Sequence, residues 1–187
     1  DTRLHTLKTS FYGDLQCYAD WLLVPILSAV SENFDRSSDC AEAKLFLEEM
    51  GIEYVNREPD QTKPFNNSIT VDMVGSVDKD NLKRASVRGT LTEGRLMISR
   101  INDFDHLYFE PTDCAVMFLY QDRPGVLSAI STELAEAGIN IDDVRNPHDP
   151  SGERSLAIMK VSTPVSQELV DAIAQRIEAL SSFTIEF

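Results

Sequence analysis

Asp122 and Asn140 are the polar side chains whose placement in this sequence could do chemistry. Asp122 lies in the turn Tyr120-Gln121-Asp122-Arg123-Pro124-Gly125-Val126-Leu127, and Asn140 follows a glycine in Gly138-Ile139-Asn140-Ile141. A carboxylate accepts hydrogen bonds and a carboxamide both accepts and donates, so the pair suits recognition of a polar ligand. Each alone is ordinary: a turn aspartate is most often a solvated helix-end charge, and asparagine after a glycine is common turn chemistry. Catalytic chemistry is thin by comparison. Three cysteines (Cys17, Cys40, Cys114) and three histidines (His5, His106, His148) are scattered without metal-type spacing or a local Ser/His/Asp constellation. No G-x-G-x-x-G follows a strand, so no loop here cradles a dinucleotide.

The elements that must carry the two polar residues follow from apolar periodicity. Ala115–Leu119 is a short unbroken apolar run suited to a buried strand. Pro124 is expected as the first helical residue, where its missing N–H does no harm. Val126, Leu127, Ile130, Leu134 and Ala137 recur at helical spacing up to Gly138, a left-handed cap. Ile139–Val144 is a second strand, Asn146–Gly152 a dense turn, and Leu156–Val161 a third strand. Thr163-Pro164 is expected to start a helix faced by Leu169, Val170, Ile173, Ile177 and Leu180, with Phe183–Phe187 a closing strand. Strand-helix-strand-strand-helix-strand with right-handed crossovers gives a four-stranded antiparallel sheet with both helices on one face, the ferredoxin-like βαββαβ arrangement.

Upstream, residues 3–12 are expected as a strand closed by Gly13. Leu15–Val30 is expected as a helix presenting Tyr18, Trp21, Leu22, Pro25, Ile26 and Ala29, kinked or restarted at Pro25. Ser37-Ser38-Asp39 caps a second helix, marked by Ala41, Leu45, Leu47 and Met50 and ended by Gly51. Ile52–Val55 is a short strand, and 56–67, with Pro59 and Pro64, a loop. The period then changes to two: 68–74, 85–91 and 95–101 are expected strands, with a turn at 78–81, an acidic turn at Asn102-Asp103 and a short strand at 106–109. The fold class is α+β: residues 1–110 with helices on one side of a sheet, a link at 110–113, and the ferredoxin-like domain at 113–187.

Composition narrows the class. The 187 residues are enough for two small domains, and 42% hydrophobic content is that of a globular protein. A formal charge of −14 argues against a nucleic-acid surface. It is shared evenly, with 12 Lys+Arg against 19 Asp+Glu up to residue 112 and 5 against 12 after it, so neither half is a charged tail. The longest apolar run, near Trp21–Val30, is broken by Pro25 and too short to span a bilayer, so no membrane is expected. An odd number of cysteines and no visible signal peptide suggest reduced thiols and a cytoplasmic location. The chain opens on Asp-Thr-Arg-Leu without an initiator methionine and is expected to be a piece of something longer.

The turn at 122–127 together with 138–141 resembles the ACT domain, a small amino-acid-sensing module of metabolic enzymes, over roughly residues 113–187. Tyr18 through Ile52, with Asn67–Val71, Ser86–Leu91 (ending Gly89-Thr90-Leu91) and Ser99–Asn102, resembles the intervening, allosteric-substrate-binding-type domain. That domain precedes the ACT domain in long-form D-3-phosphoglycerate dehydrogenases. The resemblance implies the regulatory C-terminal region of such an enzyme, with NAD used by the parent and no cofactor, metal or catalytic residue in this chain. It implies L-serine, or another small amino acid, bound where two ACT domains meet in a homodimer or tetramer. The family's ligand residues fall on Tyr120, Asp122 and Asn140. Asp122 would accept from the ammonium, while the N–H groups of Arg123, Gly125, Val126 and Leu127 and their helix dipole suit the carboxylate. The intervening domain of the family also takes an anionic effector, for which Arg88, Arg95 and Arg100 are the candidates. Asp103, Asp105 and Glu110 stand in the following segment, and a solvated strand edge is the plainer reading. Three alternatives remain: the regulatory part of an iron–sulfur L-serine dehydratase, whose Ser-rich, His-containing opening motif is absent; a stand-alone amino-acid-binding ACT protein; and an enzyme whose site the local sequence does not reveal.

Overall fold

The structure, a computed structural model, describes residues 3–63, 65–78 and 81–187. Pro64, and Lys79 and Asp80 of the expected turn at 78–81, lie outside the described residues. The chain divides into two compact units, one ending at Leu96 and one beginning at Met97.

The first unit is built on β1 (Arg3–Tyr12), whose alternation sends Leu7 and Phe11 to one face and Ser10 and Tyr12 to the other. β1 pairs in parallel with β2 (Glu53–Asn56) and antiparallel with β3 (Ser68–Asp78), and β3 pairs antiparallel with β4 (Asn81–Thr92). β5 (Arg95–Ile101), which begins in the first unit and continues past Leu96 into the second, completes the sheet order β2-β1-β3-β4-β5. A 3-10 turn at Gly13–Tyr18 leads into α1 (Ala19–Val30), followed by α2 (Cys40–Met50). Both helices pack on Leu7, Val71 and Met73 through Leu23, Val24, Leu27, Ala43 and Leu47.

Both ends of α2 are as expected. Asp39 accepts from the Ala41 and Glu42 N–H groups while Glu42 reaches back to the Asp39 N–H, and Gly51 closes the helix at φ 65°. α1 departs from expectation twice. It runs unbroken through Pro25. Trp21, whose carbonyl Pro25 cannot bond, is 71% exposed. Its buried side is Leu23, Val24 and Leu27, whereas Tyr18, Trp21 and Ala29 of the expected face are exposed. The helix is apolar almost all round, so periodicity alone does not choose the inward side.

In the second unit β6 (Cys114–Gln121) is central, and the order β7-β8-β6-β9 uses β7 (Ile141–Arg145), β8 (Arg154–Val161) and β9 (Ser181–Glu186), all antiparallel. Val116, Phe118 and Tyr120 face α3 (Val126–Glu136) and α4 (Gln167–Arg176), meeting Val126, Ile130, Leu134, Val170 and Ile173. This is the expected ferredoxin-like arrangement, and the α+β class holds. Ala115 and Met117 point the other way, onto Phe104, Leu107 and Phe109. With both faces covered, β6 has to be apolar at successive positions.

Four expectations in this unit are corrected. Pro124 lies ahead of the helix cap, which is Gly125 at φ 90°. α4 begins after Ser166, whose hydroxyl accepts from the Leu169 N–H, several residues past Thr163-Pro164. Leu180, expected on the inner face of α4, is exposed. Residues 106–109 form no strand; Ile98 and Phe109 make only an isolated bridge, because His106 (φ 60°) and Tyr108 (φ 45°) are left-handed. The compact unit thus starts upstream of the expected link at 110–113.

Candidate ligand-binding site

The end of β6 delivers Asp122. Its N–H donates to the Glu153 carbonyl at 2.8 Å, one step beyond the Gln121–Arg154 pair, which holds the turn against the start of β8. The fully buried Ser155 hydroxyl donates to Asp122 Oδ1 at 2.9 Å and lies 2.9 Å from His148 Nδ1. With the one hydroxyl proton committed to Asp122, His148 Nδ1 must supply the proton of the second bond. His148 Nδ1 is also 3.7 Å from Asp122 Oδ2. The carboxylate is therefore oriented from beneath while its side chain stays partly open to solvent.

Tyr120 lies in the helix-side core, 1% exposed, and its hydroxyl donates to Asn146 Oδ1 at 2.7 Å. Burial pushes its phenol pKa up, and the nearby Asp122 charge adds to it. Arg123 is spent elsewhere: its Nη2 donates to the Ile177 carbonyl at 2.6 Å, beyond the last turn of α4, and sits 3.6 Å from Glu178. Gly125 supplies the left-handed residue that turns the chain into α3, which has no side-chain cap over its first N–H groups. Val126 is core and Leu127 half-buried, so these offer backbone alone.

Asn140 is exposed at the opposite end of the sheet. Its carbonyl accepts from the Ser162 N–H and its Nδ2 donates to Asp142 Oδ1 at 2.6 Å. The eight residues of β8 separate the two ends, roughly 25 Å at the usual strand rise. One chain therefore does not bring Asp122 and Asn140 together.

Sequence reasoning missed Asn146, His148 and Ser155. They come from the turn 146–152 and the strand behind it, and Asp149 organises that turn. Asp149 accepts from the Glu153 and Arg154 N–H groups, the Ser151 hydroxyl and Arg154 Nε. Burial pushes its carboxyl up, but the Arg154 side chain and these N–H and O–H donors outweigh it and hold it at about 2. The Asn-Pro-His-Asp-Pro-Ser-Gly run was the available signal.

Of the anion candidates, Arg88 is buried on β4 with its guanidinium stacked on Phe65, 4.2 Å from the ring centre. Arg95 is exposed at the start of β5, and Arg100 is half-buried near its end. Arg88 and Arg95 fall in the first unit and Arg100 in the second, and each has interactions of its own. Among the described residues, no cluster of three or more His, Cys, Asp or Glu side chains is arranged for a metal. No helix among them is long and apolar enough to cross a membrane.

The ACT domain family matches residues 115–181. Among solved structures, the chain is similar to an ACT domain protein from Streptococcus pneumoniae (21% identity, 41% of this chain, 90% of that one, TM-score 0.33). It is similar to GqqA, described as a novel type of quorum quenching acylase (12% identity, TM-score 0.33), over 78% of this chain and 58% of that one. A homoserine dehydrogenase from Thiobacillus denitrificans (16% identity, TM-score 0.27) is matched over 64% of this chain and 34% of that one. The chain thus spans little more than half of GqqA and about a third of the dehydrogenase. Curated protein sequences give no match. Residues 115–181, carrying Tyr120, Asp122 and Asn140, are an ACT domain, which points to an amino-acid-sensing regulatory role.

Proposed function

We propose that this chain is the regulatory portion of an NAD-dependent D-3-phosphoglycerate dehydrogenase of serine biosynthesis, and that it senses L-serine as a feedback effector. The observation that carries the reading is the Asp122 carboxylate, oriented by Ser155 beside the uncapped N-terminus of α3. A free amino acid brings an ammonium and a carboxylate a few ångströms apart. Asp122 takes the first; the α3 N–H groups and dipole take the second. The small polar side chain of serine then needs a donor-acceptor partner, which Asn140 can be.

Asn140 reaches the site from a second copy. β7 is an outer strand of the sheet. Pairing it antiparallel with its twofold mate sets the start of one β7 against the end of the other. The partner's Asn140 then lies beside the Asn146–His148 turn that borders Asp122. Ligand bound across that seam favours the arrangement that forms it, and a coupling of about 1–3 kcal/mol suffices for regulation. NAD and the catalytic groups belong to other domains of the parent enzyme, and effects on the dehydrogenase would be transmitted through the subunit arrangement.

Calorimetric titration of the chain with L-serine tests this. Asp122→Ala removes the ammonium's acceptor and should weaken binding about ten- to a hundredfold, since bonds to charged groups are worth about 1.5–3 kcal/mol. Asn140→Ala should act in the same direction. Equal affinity in both variants and the parent chain would place the ligand elsewhere.

A further inference from the structure

A cavity of about 410 Å³ opens in the first unit, lined by the C-terminal ends of α1 and α2 and by the start of β1. Its apolar lining includes Leu4, Leu27, Val30, Phe46 and Ile52. Two opposite charges flank this apolar interior: Arg3 from β1 and Glu49 from the last turn of α2. An Arg3 Nη2 lies 3.6 Å from where a Cβ on Gly51 would stand, which puts the guanidinium beside the α2 cap. Among the described residues, neither Arg3 nor Glu49 makes a side-chain hydrogen bond or an ion pair, with each other or with any neighbour. The C-terminal ends of two helices add their partial negative charge on the Glu49 side.

A cavity with an apolar floor and a few convergent polar groups is the usual form of a small-molecule site. The charges choose the ligand. A carboxylic acid without an amine would pair with Arg3 alone, and an amine without a carboxylate with Glu49 alone. Both are answered by one molecule carrying an ammonium and a carboxylate on the same carbon, together with a hydrocarbon side chain. We propose that this cavity binds an apolar α-amino acid as its zwitterion, with the carboxylate on Arg3, the ammonium toward Glu49 and the side chain among Leu27, Val30 and Phe46. The site is separate from the Asp122 turn and independent of what binds there. It differs in kind, since the cavity selects a hydrocarbon side chain.

The test is calorimetry on the whole chain with L-leucine and L-phenylalanine, set against 4-methyl-2-oxopentanoate and 3-methylbutylamine. At least one amino acid should bind saturably with Kd below about 1 mM. Each analogue lacks one charge-assisted pair and should bind at least about tenfold more weakly. Arg3→Gln and Glu49→Gln should each cost a similar factor, while Asp122→Ala leaves this binding unchanged. Because a substitution can disturb a helix end, methyl NMR on the parent chain locates the ligand independently, through shifts at Leu27 and Val30. The proposal is overturned by folded protein that binds neither amino acid, by analogues that bind as well, by affinity that survives both charge substitutions, or by shifts confined to residues 115–181.

Discussion

At the scale of single residues, the site depends on Asp149 more than on any group that would touch a ligand. Asp149 receives four hydrogen bonds from the turn that presents Asn146 and His148. Its carboxyl is held at about 2 against an ordinary 3.8, so the folded state prefers it ionised. That preference contributes stability in full above pH 3.8 and loses it as pH falls from there through about 2. Urea midpoints of the parent and Asp149→Asn should differ near neutral pH and converge across this acid window. A gap that stays constant down to pH 2 would show that the carboxyl titrates alike in both states. The turn itself is legible in the sequence, because its Asn, Pro, Asp, Ser and Gly have few other uses. Its chemistry is not. Ser155 reaches Asp122 across 33 residues of chain, and only the β6–β8 register puts them together. No local pattern encodes a strand register.

At the scale of elements, local rules succeed where a helix end is self-contained and fail where tertiary contact selects among starts. The Asp39–Glu42 box and Gly51 enclose α2 without help from the rest of the fold, as does Gly138 after α3, where the Gly138 and Ile139 N–H groups bond back to Ala135 and Leu134. Pro124 and Thr163-Pro164 are plausible helix starts, but the helices begin later, where Gly125 and Ser166 aim Val126 and Val170 into the core. Gly125 is the more exacting of the two. A Cβ there would meet no atom within 4 Å, so the demand is purely conformational, set by φ 90°. Gly125→Ala should cost about 1–2 kcal/mol of stability, the usual cost of an L-residue held left-handed, read from denaturant unfolding. It should weaken ligand binding as well, because the same residue sets the direction of the α3 N–H groups. Unchanged stability would mean that the turn relaxes to negative φ without loss.

At the scale of the molecule, the ACT sheet has helices on one face and residues 98–109 on the other, which leaves its outer strands as the places for another sheet to join. Val144 is exposed on β7, the strand a twofold partner would extend. Charge on an outer strand opposes such pairing. The parent chain is expected to sediment as a dimer or larger at micromolar concentration, and Val144→Lys to shift it toward the monomer and weaken serine binding with it. A parent chain that sediments as a monomer at high micromolar concentration would contradict the seam. The order of strands and helices in this unit follows from periodicity and crossover handedness alone. The cover on its second face does not, because left-handed residues at His106 and Tyr108 break the strand pattern that 106–109 suggests.

That cover sets where the ACT domain can be cut free. Phe104, Leu107 and Phe109 bury Ala115, Met117, Leu156 and Ile158, none of which could face water without making an apolar patch on a sheet. A shortened protein starting at Asp113 would keep every strand and helix of the ferredoxin-like pattern and still lack half of what makes it soluble. Started at Met97, it should express as a soluble, cooperatively unfolding protein; started at Asp113, it should aggregate or bind a hydrophobic dye. Equal behaviour of the two would show the cover to be dispensable. The working limit of this domain is therefore drawn by a dozen residues that carry no signature of it.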